Sequence, residues 1–326
     1  MFIVHETISV IIPAESDSAD LKILKYLDKV EYPKDKIEII IAVGKNPSLQ
    51  RNEAVKIAKG DILYFFNRDA QAEPDIFRKA VDIINSGVKI AGAGGPDLTP
   101  HDNNYIQHLF GYAMSSYFAH WKMRARYCPA GRQRVSDEKE LLLSNMAIRK
   151  DVFLKLSCFN EKLYPNEENE LINRIYKAGY EFIYSPELKI YRDRRKTLSA
   201  FIKQFYRYGG GRMEQIFIEG VPKNPQFFIP IFLLAYFLTA LFRNDFWIKF
   251  GLLFLYGFFS LIDAFYVSIK NKKNLVFVLP ALYFTMHMSY AIGMFLAIFK
   301  KVTLSNFSIE KDVKIIRLKE MAVLKI

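Results

Sequence analysis

The sequence predicts an α/β domain built on a mostly parallel sheet, followed by a membrane-embedded helical region. Three observations carry this. Before residue 225, short apolar runs alternate with amphipathic stretches, while residues 225 to 299 hold only seven charged residues but 21 of the 49 aromatics. That segment also contains apolar stretches of the length a bilayer demands, about 20 residues. With 326 residues, 51% hydrophobic and 25% charged, disorder, a collagen repeat and a disulfide-rich miniprotein are excluded.

The runs ISVII (8–12), IEIIIAV (37–43), ILYFF (62–66) and VKIAGA (88–93) have the length and β-branched or aromatic content of buried strands. Helix-like stretches at 18–30, 48–59 and 75–86 separate them, which implies βαβ units and a sheet covered on both faces. Functional residues of such sheets lie in the loops after the strands' carboxyl ends. Pro13 to Asp17, Gly44 to Gln50, Asn67 to Gln71 and Gly94 to Pro100 are therefore expected around one crevice.

Farther along, apolar segments occupy roughly 225–242, 246–269 and 275–299. The second and third are long enough to cross, whereas the first is short and contains Pro225 and Pro230. Lys270, Lys272 and Lys273 argue for a cytoplasmic loop between the second and third. Three crossings from a cytoplasmic first domain would nevertheless put the tail outside, although it carries seven Lys/Arg (Lys300, Lys301, Lys311, Lys314, Arg317, Lys319, Lys325). Treating the first segment as the doubtful crossing resolves the conflict.

Net charge is +12, and +9 remains outside the apolar region. Beside apolar spans this favours anionic membrane lipids or phosphorylated ligands and argues against a nucleic-acid partner. Cys128 and Cys158 stand alone, without a CxxC pair or a nearby His at ligand spacing, so reduced cytoplasmic thiols are expected. The opening MFIVHETISVIIPA lacks the basic region and cleavable apolar core of a signal peptide.

Several segments carry candidate chemistry. Asn67-Arg68-Asp69 follows a strand; it reads either as an ordinary polar turn or as an acid poised to hold a cation against phosphate oxygens. Asn166, Glu167, Glu168 and Glu170 open a helix and read as caps complementing its dipole or as a carboxylate base. Gly95 and Asp97 in GGPDLTP read as a turn or as a close backbone approach to a ligand. Asn145 reads as a satisfied buried amide or an inward ligand contact. The basic stretch Lys122 to Arg134 reads as a solvated loop or as a contact for lipid-borne phosphate.

In order along the chain, ISVIIPAES, QRNEAVKIAKGDILYFFNRDAQAEPD, GGPDLTP, SNMAIRKDVF, PNEENELINRIYKAG and QFYRYGGGR resemble family-2 glycosyltransferases of the GT-A fold over about residues 7 to 212. The apolar region resembles the membrane-attached branch that extends lipid-linked exopolysaccharide precursors, such as the succinoglycan-type enzymes. The resemblance implies a GT-A catalytic domain over 1–196, an amphipathic interfacial region over 197–224, membrane helices over 225–299 and a basic tail over 300–326. It implies inverting transfer from a nucleotide sugar, a UDP-sugar by expectation, to a polyprenyl-linked saccharide, with the catalytic domain on the cytoplasmic face of the cell membrane.

The family's DxD motif falls on Asn67-Arg68-Asp69, with Asp69 as the ligand of Mg2+ or Mn2+; Asn67 brings no charge, and the His that related enzymes carry near Tyr191-Arg192 is absent. The family's Glu-Asp pair falls on Glu167-Glu168, making Glu168 the base and Glu167 its neighbour. Pro13, Ala14, Glu15, Gln50 and Arg51 line the implied nucleotide pocket. Gly95 and Asp97 shape the donor site, and Arg192, with Arg194, grips the diphosphate. Asn145 falls on the acceptor side. QFYRY resembles the QxxRW motif, so Gln204, Arg207 and Tyr208 are implied acceptor contacts; the same helix also reads as interfacial, with Phe201, Phe205 and Tyr208 toward lipid. A polyprenyl-phosphate sugar synthase and a catalytically silent membrane scaffold of the same fold are the rival readings.

Overall fold

The computed structural model describes residues 6–16, 20–222, 225–240, 242–303 and 312–318. In chain order the strands are β1 Ile8–Ala14, β2 Ile37–Val43, β3 Ile62–Phe66, β4 Ala70–Ala72, β5 Ile90–Gly94, β6 Asp97–Leu98, β7 Arg134–Val135, β8 Asn145–Arg149, β9 Glu181–Tyr184, β10 Ile190–Arg192 and β11 Lys314–Leu318. The helices are α1 Leu24–Leu27, α2 Pro47–Ile57, α3 Ile76–Asn85, α4 Tyr105–Met114, α5 Tyr117–His120, α6 Lys150–Lys155, α7 Glu167–Lys177, α8 Leu198–Glu219, α9 Ile229–Ala240, α10 Phe246–Asn271 and α11 Val278–Thr303. The chain divides into two compact units, one of Met1–Pro100, Ala125–Asp193 and Ser308–Ile326, the other of His101–Arg124 and Arg194–Phe307.

The first unit is a three-layer α/β domain. Its main sheet has the order β11-β2-β1-β3-β8-β5-β9-β7. Strand β1 runs parallel to β2 and β3, and β5 runs parallel to β9, whereas β8 enters antiparallel between β3 and β5. The sheet is thus mixed, more so than the βαβ pattern of the first hundred residues implies, because β8 arrives from outside that pattern. Alternate side chains of each strand feed opposite faces. Val10, Ile12, Tyr64 and Phe66 pack in one core, and Ile11, Ala42, Leu63 and Phe65 in the other.

The strands predicted at 37–43 and 62–66 form with those bounds. Of the helix expected over 18–30, whose first two residues lie outside the described residues, α1 is the helical part described, and its start has no side-chain cap. Helix α2 does have one: Asn46 accepts from the backbone N–H groups of Ser48 (3.0 Å) and Leu49 (3.2 Å), with Pro47 in the first turn. A second, three-stranded sheet, β4-β10-β6, matters more for the site. Its register sets Arg192 opposite Ala70 and Ile190 opposite Asp97.

The second unit is helical. Helices α8 and α11 cross closely, since a Cβ on Gly209 would lie 1.9 Å from the Tyr290 carbonyl oxygen and one on Gly293 would lie 2.0 Å from that of Tyr206. Small residues are what permit such backbone approach between helices. Phe201 and Phe205 are buried here, Phe201 stacking on Phe110 at 4.1 Å. The expected lipid-facing role of these two rings is therefore corrected: they build the interior of this unit.

Helices α10 and α11 are long and apolar enough to cross a membrane, while α9 is shorter. Along α10, Phe254, Phe258, Ile262, Phe265 and Ile269 are exposed, a continuous apolar surface of the kind that seeks lipid or a partner. The polar groups within these helices are satisfied. Asp263 accepts from Ser116 Oγ (2.6 Å), Tyr283 Oη (2.7 Å) and the Phe118 N–H (3.3 Å). The ring of His287 bonds to Tyr256 Oη (2.9 Å) and the Ala119 carbonyl (3.0 Å), the interhelical role expected of a polar group among apolar helices.

The tail gives one further element. Strand β11 adds antiparallel to the edge of β2, Ile316 opposite Ile41; Lys311, Lys319 and Lys325, like Asp17 near the other end of the chain, lie outside the described residues.

Candidate active site

The loop after β3 carries Asn67, Arg68 and Asp69, of which Arg68 is exposed and the other two half-buried. The hairpin-like return of β10 onto β4 brings Arg192 to this loop: its Nε donates to Asp69 Oδ1 at 2.9 Å. Asp97, at the start of β6, lies on the other side, 3.8 Å from Arg192 Nη1, and is buried with Ser144 Oγ donating to it at 3.3 Å. Asn67 sits between two guanidinium groups. With its side-chain oxygen toward Arg192 it accepts from Nη1 (3.1 Å) and Nη2 (3.3 Å); turned about, the oxygen meets Arg51 Nη2 at 3.4 Å. Two closer bonds favour the first orientation.

Arg51 links this loop to α7. From the second turn of α2 its Nη1 donates to Glu167 Oε1 at 2.9 Å, both side chains being sealed from solvent at 5% and 3% exposure. Two polar clusters therefore meet at Asn67: Arg51 with Glu167, and Arg192 with Asp69 and Asn67.

The start of α7 is unusual. Asn166 has φ of 90° and offers no side-chain cap, so the capping interpretation of this segment fails at the residue best suited to it. Left-handed backbone in a residue other than Gly persists only where its surroundings enforce it. Here Asn169 Nδ2 donates to Asn166 Oδ1 (3.0 Å) and Arg126 Nη2 to Asn169 Oδ1 (2.8 Å). The outcome is two adjacent carboxylates in different settings. Glu167 is buried, and burial pushes its carboxyl up to about 7, with the charge of Glu168 adding and that of Arg51 opposing. Glu168 is half-buried and makes no hydrogen bond or ion pair among the described residues.

Residues 62–296 match the family model described as glycosyl transferase family group 2. The chain belongs to that family. Among solved structures the glycosyltransferase is similar to the mannosyltransferase PcManGT of Pyrobaculum calidifontis, in complex with GDP-Man and Mn2+, at 15% identity and TM-score 0.53, with 92% of this chain and 88% of that one covered. It also aligns with S. aureus TarS 1-349 in complex with UDP-GlcNAc, at 13% identity and TM-score 0.44, covering 94% and 95%. No curated protein matches. The chain is a glycosyltransferase with a GT-A-like sheet domain.

A divalent cation on Asp69 is the cofactor that the motif implies, and the donor set of this glycosyltransferase does not fit one. The Asp69 carboxylate already holds a guanidinium, Asn67 is neutral, and no three His, Cys, Asp or Glu side chains gather as a metal site among the described residues.

Other expected site residues turn out to support the site from behind. Gln50 is buried; its amide nitrogen donates to the carbonyls of Ala14 (2.7 Å) and Ala42 and so ties β1 to β2. Asn145 is fully buried, donating to the Leu188 carbonyl (2.6 Å) and accepting from Tyr64 Oη (2.8 Å). The satisfied-amide interpretation describes it. A Cβ on Gly95 would sit 2.1 Å from the Leu188 carbonyl oxygen, so the backbone approaches another segment's backbone closely there. Pro13 is half-buried, Ala14 buried and Glu15 exposed at the end of β1. Gln204, Arg207 and Tyr208 lie on α8 of the helical unit, where Gln204 accepts from Arg195 Nε (2.8 Å) and donates to Tyr208 Oη (3.0 Å).

The basic stretch is largely structural. Arg124 and Arg126 are buried, and Arg134 pairs with Glu140 at 2.6 Å. Arg126, Asn169 and Ser144 escaped the sequence reading as site supports. Their only sequence signal is being polar beside a motif, and their partners lie 43 to 47 residues away.

Proposed function

We propose that this glycosyltransferase moves a sugar with inversion from a nucleotide diphosphate donor, a UDP-sugar, to a lipid-linked saccharide at the cytoplasmic face of the cell membrane. It would act in cell-envelope or exopolysaccharide synthesis, in the membrane-attached branch that includes the succinoglycan-type enzymes. The observation that carries this reading is the pair of arginine–carboxylate contacts, Arg51 with Glu167 and Arg192 with Asp69, beside half-buried Glu168. It supplies an arginine, Arg192, for a diphosphate and a separate carboxylate for a proton. PcManGT was solved with GDP-Man and TarS with UDP-GlcNAc, donors of the proposed class.

In the proposed reaction the acceptor hydroxyl oxygen forms a bond to the anomeric carbon while the bond from that carbon to the phosphate oxygen breaks. The hydroxyl proton passes to Glu168, and the nucleoside diphosphate leaves with the electron pair. A general base must be within reach of the hydroxyl whose proton it takes; half-buried Glu168 meets that requirement, and Glu167, locked to Arg51, serves to position it. Pro13 to Glu15 and the Asn67 loop contact the donor, and Gln204, Arg207 and Tyr208 the acceptor.

Two crossings, by α10 and α11, complete the reading. Strand β11 belongs to the sheet of the first unit, so a chain that crosses must cross an even number of times to return. The Lys270 to Lys273 loop then faces away from the catalytic side. The seven tail Lys/Arg outweigh its three, and it is the bias in Lys and Arg that sets orientation.

The test is nucleoside diphosphate release by the full chain in lipid, over a panel of nucleotide sugars with a polyprenyl-lipid extract. Turnover of one donor that requires the extract, and that falls on the order of 10²- to 10⁴-fold in Glu168→Gln, is expected. Intact donors throughout, with folded protein and an extract competent for a control enzyme, would sink the proposal.

A further inference from the structure

We infer that Arg192, rather than a divalent cation, neutralises the donor diphosphate, making this a metal-independent transferase whose Asp69 is the anchor of an arginine and not a metal ligand. The inference rests on the reading above as a nucleotide-sugar transferase and specifies how its donor is held.

Charge arithmetic is the first argument. A divalent cation between two aspartates leaves a site with no net charge. Here one acid of the motif is the neutral Asn67, and the cation is a guanidinium of a single charge bonded to Asp69 at 2.9 Å. The two changes cancel: one negative charge is lost as one positive charge is lost. Asn67, in place of an acid, turns its amide oxygen to the Arg192 fork, which suits a site built on arginine.

Geometry is the second. Arg192 is held along Nε by Asp69 and across its fork by Asn67, with buried Asp97 3.8 Å from Nη1. Its orientation is thereby set before any ligand arrives, while the side chain keeps 26% of its surface exposed. A planar guanidinium that cannot deprotonate matches phosphate oxygens better than an ammonium does. A cation added to Asp69 would instead stand against this guanidinium and compete for the same carboxylate. The second arginine, Arg51, is committed to Glu167, whereas Arg192 is the guanidinium bonded to Asp69.

The experiment is equilibrium binding of UDP, GDP, CDP, ADP and dTDP to the full chain in lipid nanodiscs, with EDTA and with Mn2+. One nucleotide is expected to bind with affinities equal within about twofold in the two conditions. Arg192→Gln should weaken it about tenfold or more, as loss of a charge-assisted bond does, without rescue by Mn2+. Arg192→Lys should recover part of the loss. Asp69→Asn, which leaves the arginine but not its anchor, should weaken binding equally with EDTA and with Mn2+. Binding that requires Mn2+, or an Asp69→Asn defect confined to the Mn2+ condition, would overturn the inference and leave the transferase reading standing. No binding of any nucleotide by folded protein in either condition would overturn both.

Discussion

Two arginine–carboxylate pairs sit in one site at the same 2.9 Å, and they are not equivalent. Arg51–Glu167 is sealed, at 5% and 3% exposure; Arg192–Asp69 is open, at 26% and 34%. Removing one partner of a buried pair strands a charge in the interior, whereas an exposed pair exchanges its partner for water at little cost. The sealed pair is accordingly suited to hold α2 against α7 and fix Glu168. The open pair is suited to trade contacts with an arriving anion. Equal distance conceals opposite duties.

The largest expected effect lies at the residue between the two duties. Glu168→Gln should abolish turnover by the factor given above while nucleotide binding and the unfolding midpoint stay near wild type; a large loss of stability would place Glu168 with the sealed pair. Next, Arg51→Ala should destabilise the protein by about 3–5 kcal/mol, as removing one partner of a buried pair does. Arg51→Met with Glu167→Leu should cost far less, and denaturant unfolding compares them. If both variants lose the same amount, the pair is not what holds the helices.

A smaller effect is a pH dependence confined to the sealed pair. Glu167 is raised from an ordinary value of 4.5 to about 7, so between these values the unfolded chain releases its proton before the folded one does. The folded state then holds more protons, and stability falls as pH rises through that window, levelling above it. The difference in unfolding midpoint between wild type and Glu167→Gln, followed across the window, isolates this slope, and a difference that rises with pH would refute it. Because Glu168 contributes to the raise, Glu168→Gln should move the window to lower pH. The smallest effect belongs to the open pair. Asp69→Asn, which removes the open carboxylate and leaves Arg192 beside buried Asp97, should change stability by no more than about 1 kcal/mol, and a loss on the scale of Arg51→Ala would erase the distinction between the pairs.

Labelling tests the wider arrangement. In a Cys128→Ser, Cys158→Ser background, a cysteine replacing the exposed Lys314 should react with an impermeant reagent only after cells are opened; reaction in intact cells would overturn the proposed cytoplasmic placement of the sheet that β11 joins.

What was legible in the sequence follows from how local each signal is. Strands 37–43 and 62–66 stand out because buried β-branched and aromatic runs announce themselves without reference to the rest of the chain. The order of motifs and the apolar spans likewise lie within short windows, and they predicted a GT-A sheet followed by two long apolar helices. Among the described residues of the stretch read as helix 18–30, α1 covers Leu24–Leu27 alone, with no side-chain cap at its start, and β8 entered antiparallel because strand pairing is not a local property. The site residues were named one by one, but their duties were not visible. Arg192 meets Asp69 across 123 positions and Arg51 meets Glu167 across 116.

The sequence by itself determined the early strands, 8–12, 37–43, 62–66 and 88–93, and which segments would be apolar enough for a membrane, since composition and period are written locally. Only the tertiary structure decided that Asn145 and Gln50 face inward, that the tail returns as a strand, and that Asp69 holds an arginine. Each of these depends on register and crossing between distant segments, where burial and partnership, rather than residue type, set what a side chain does.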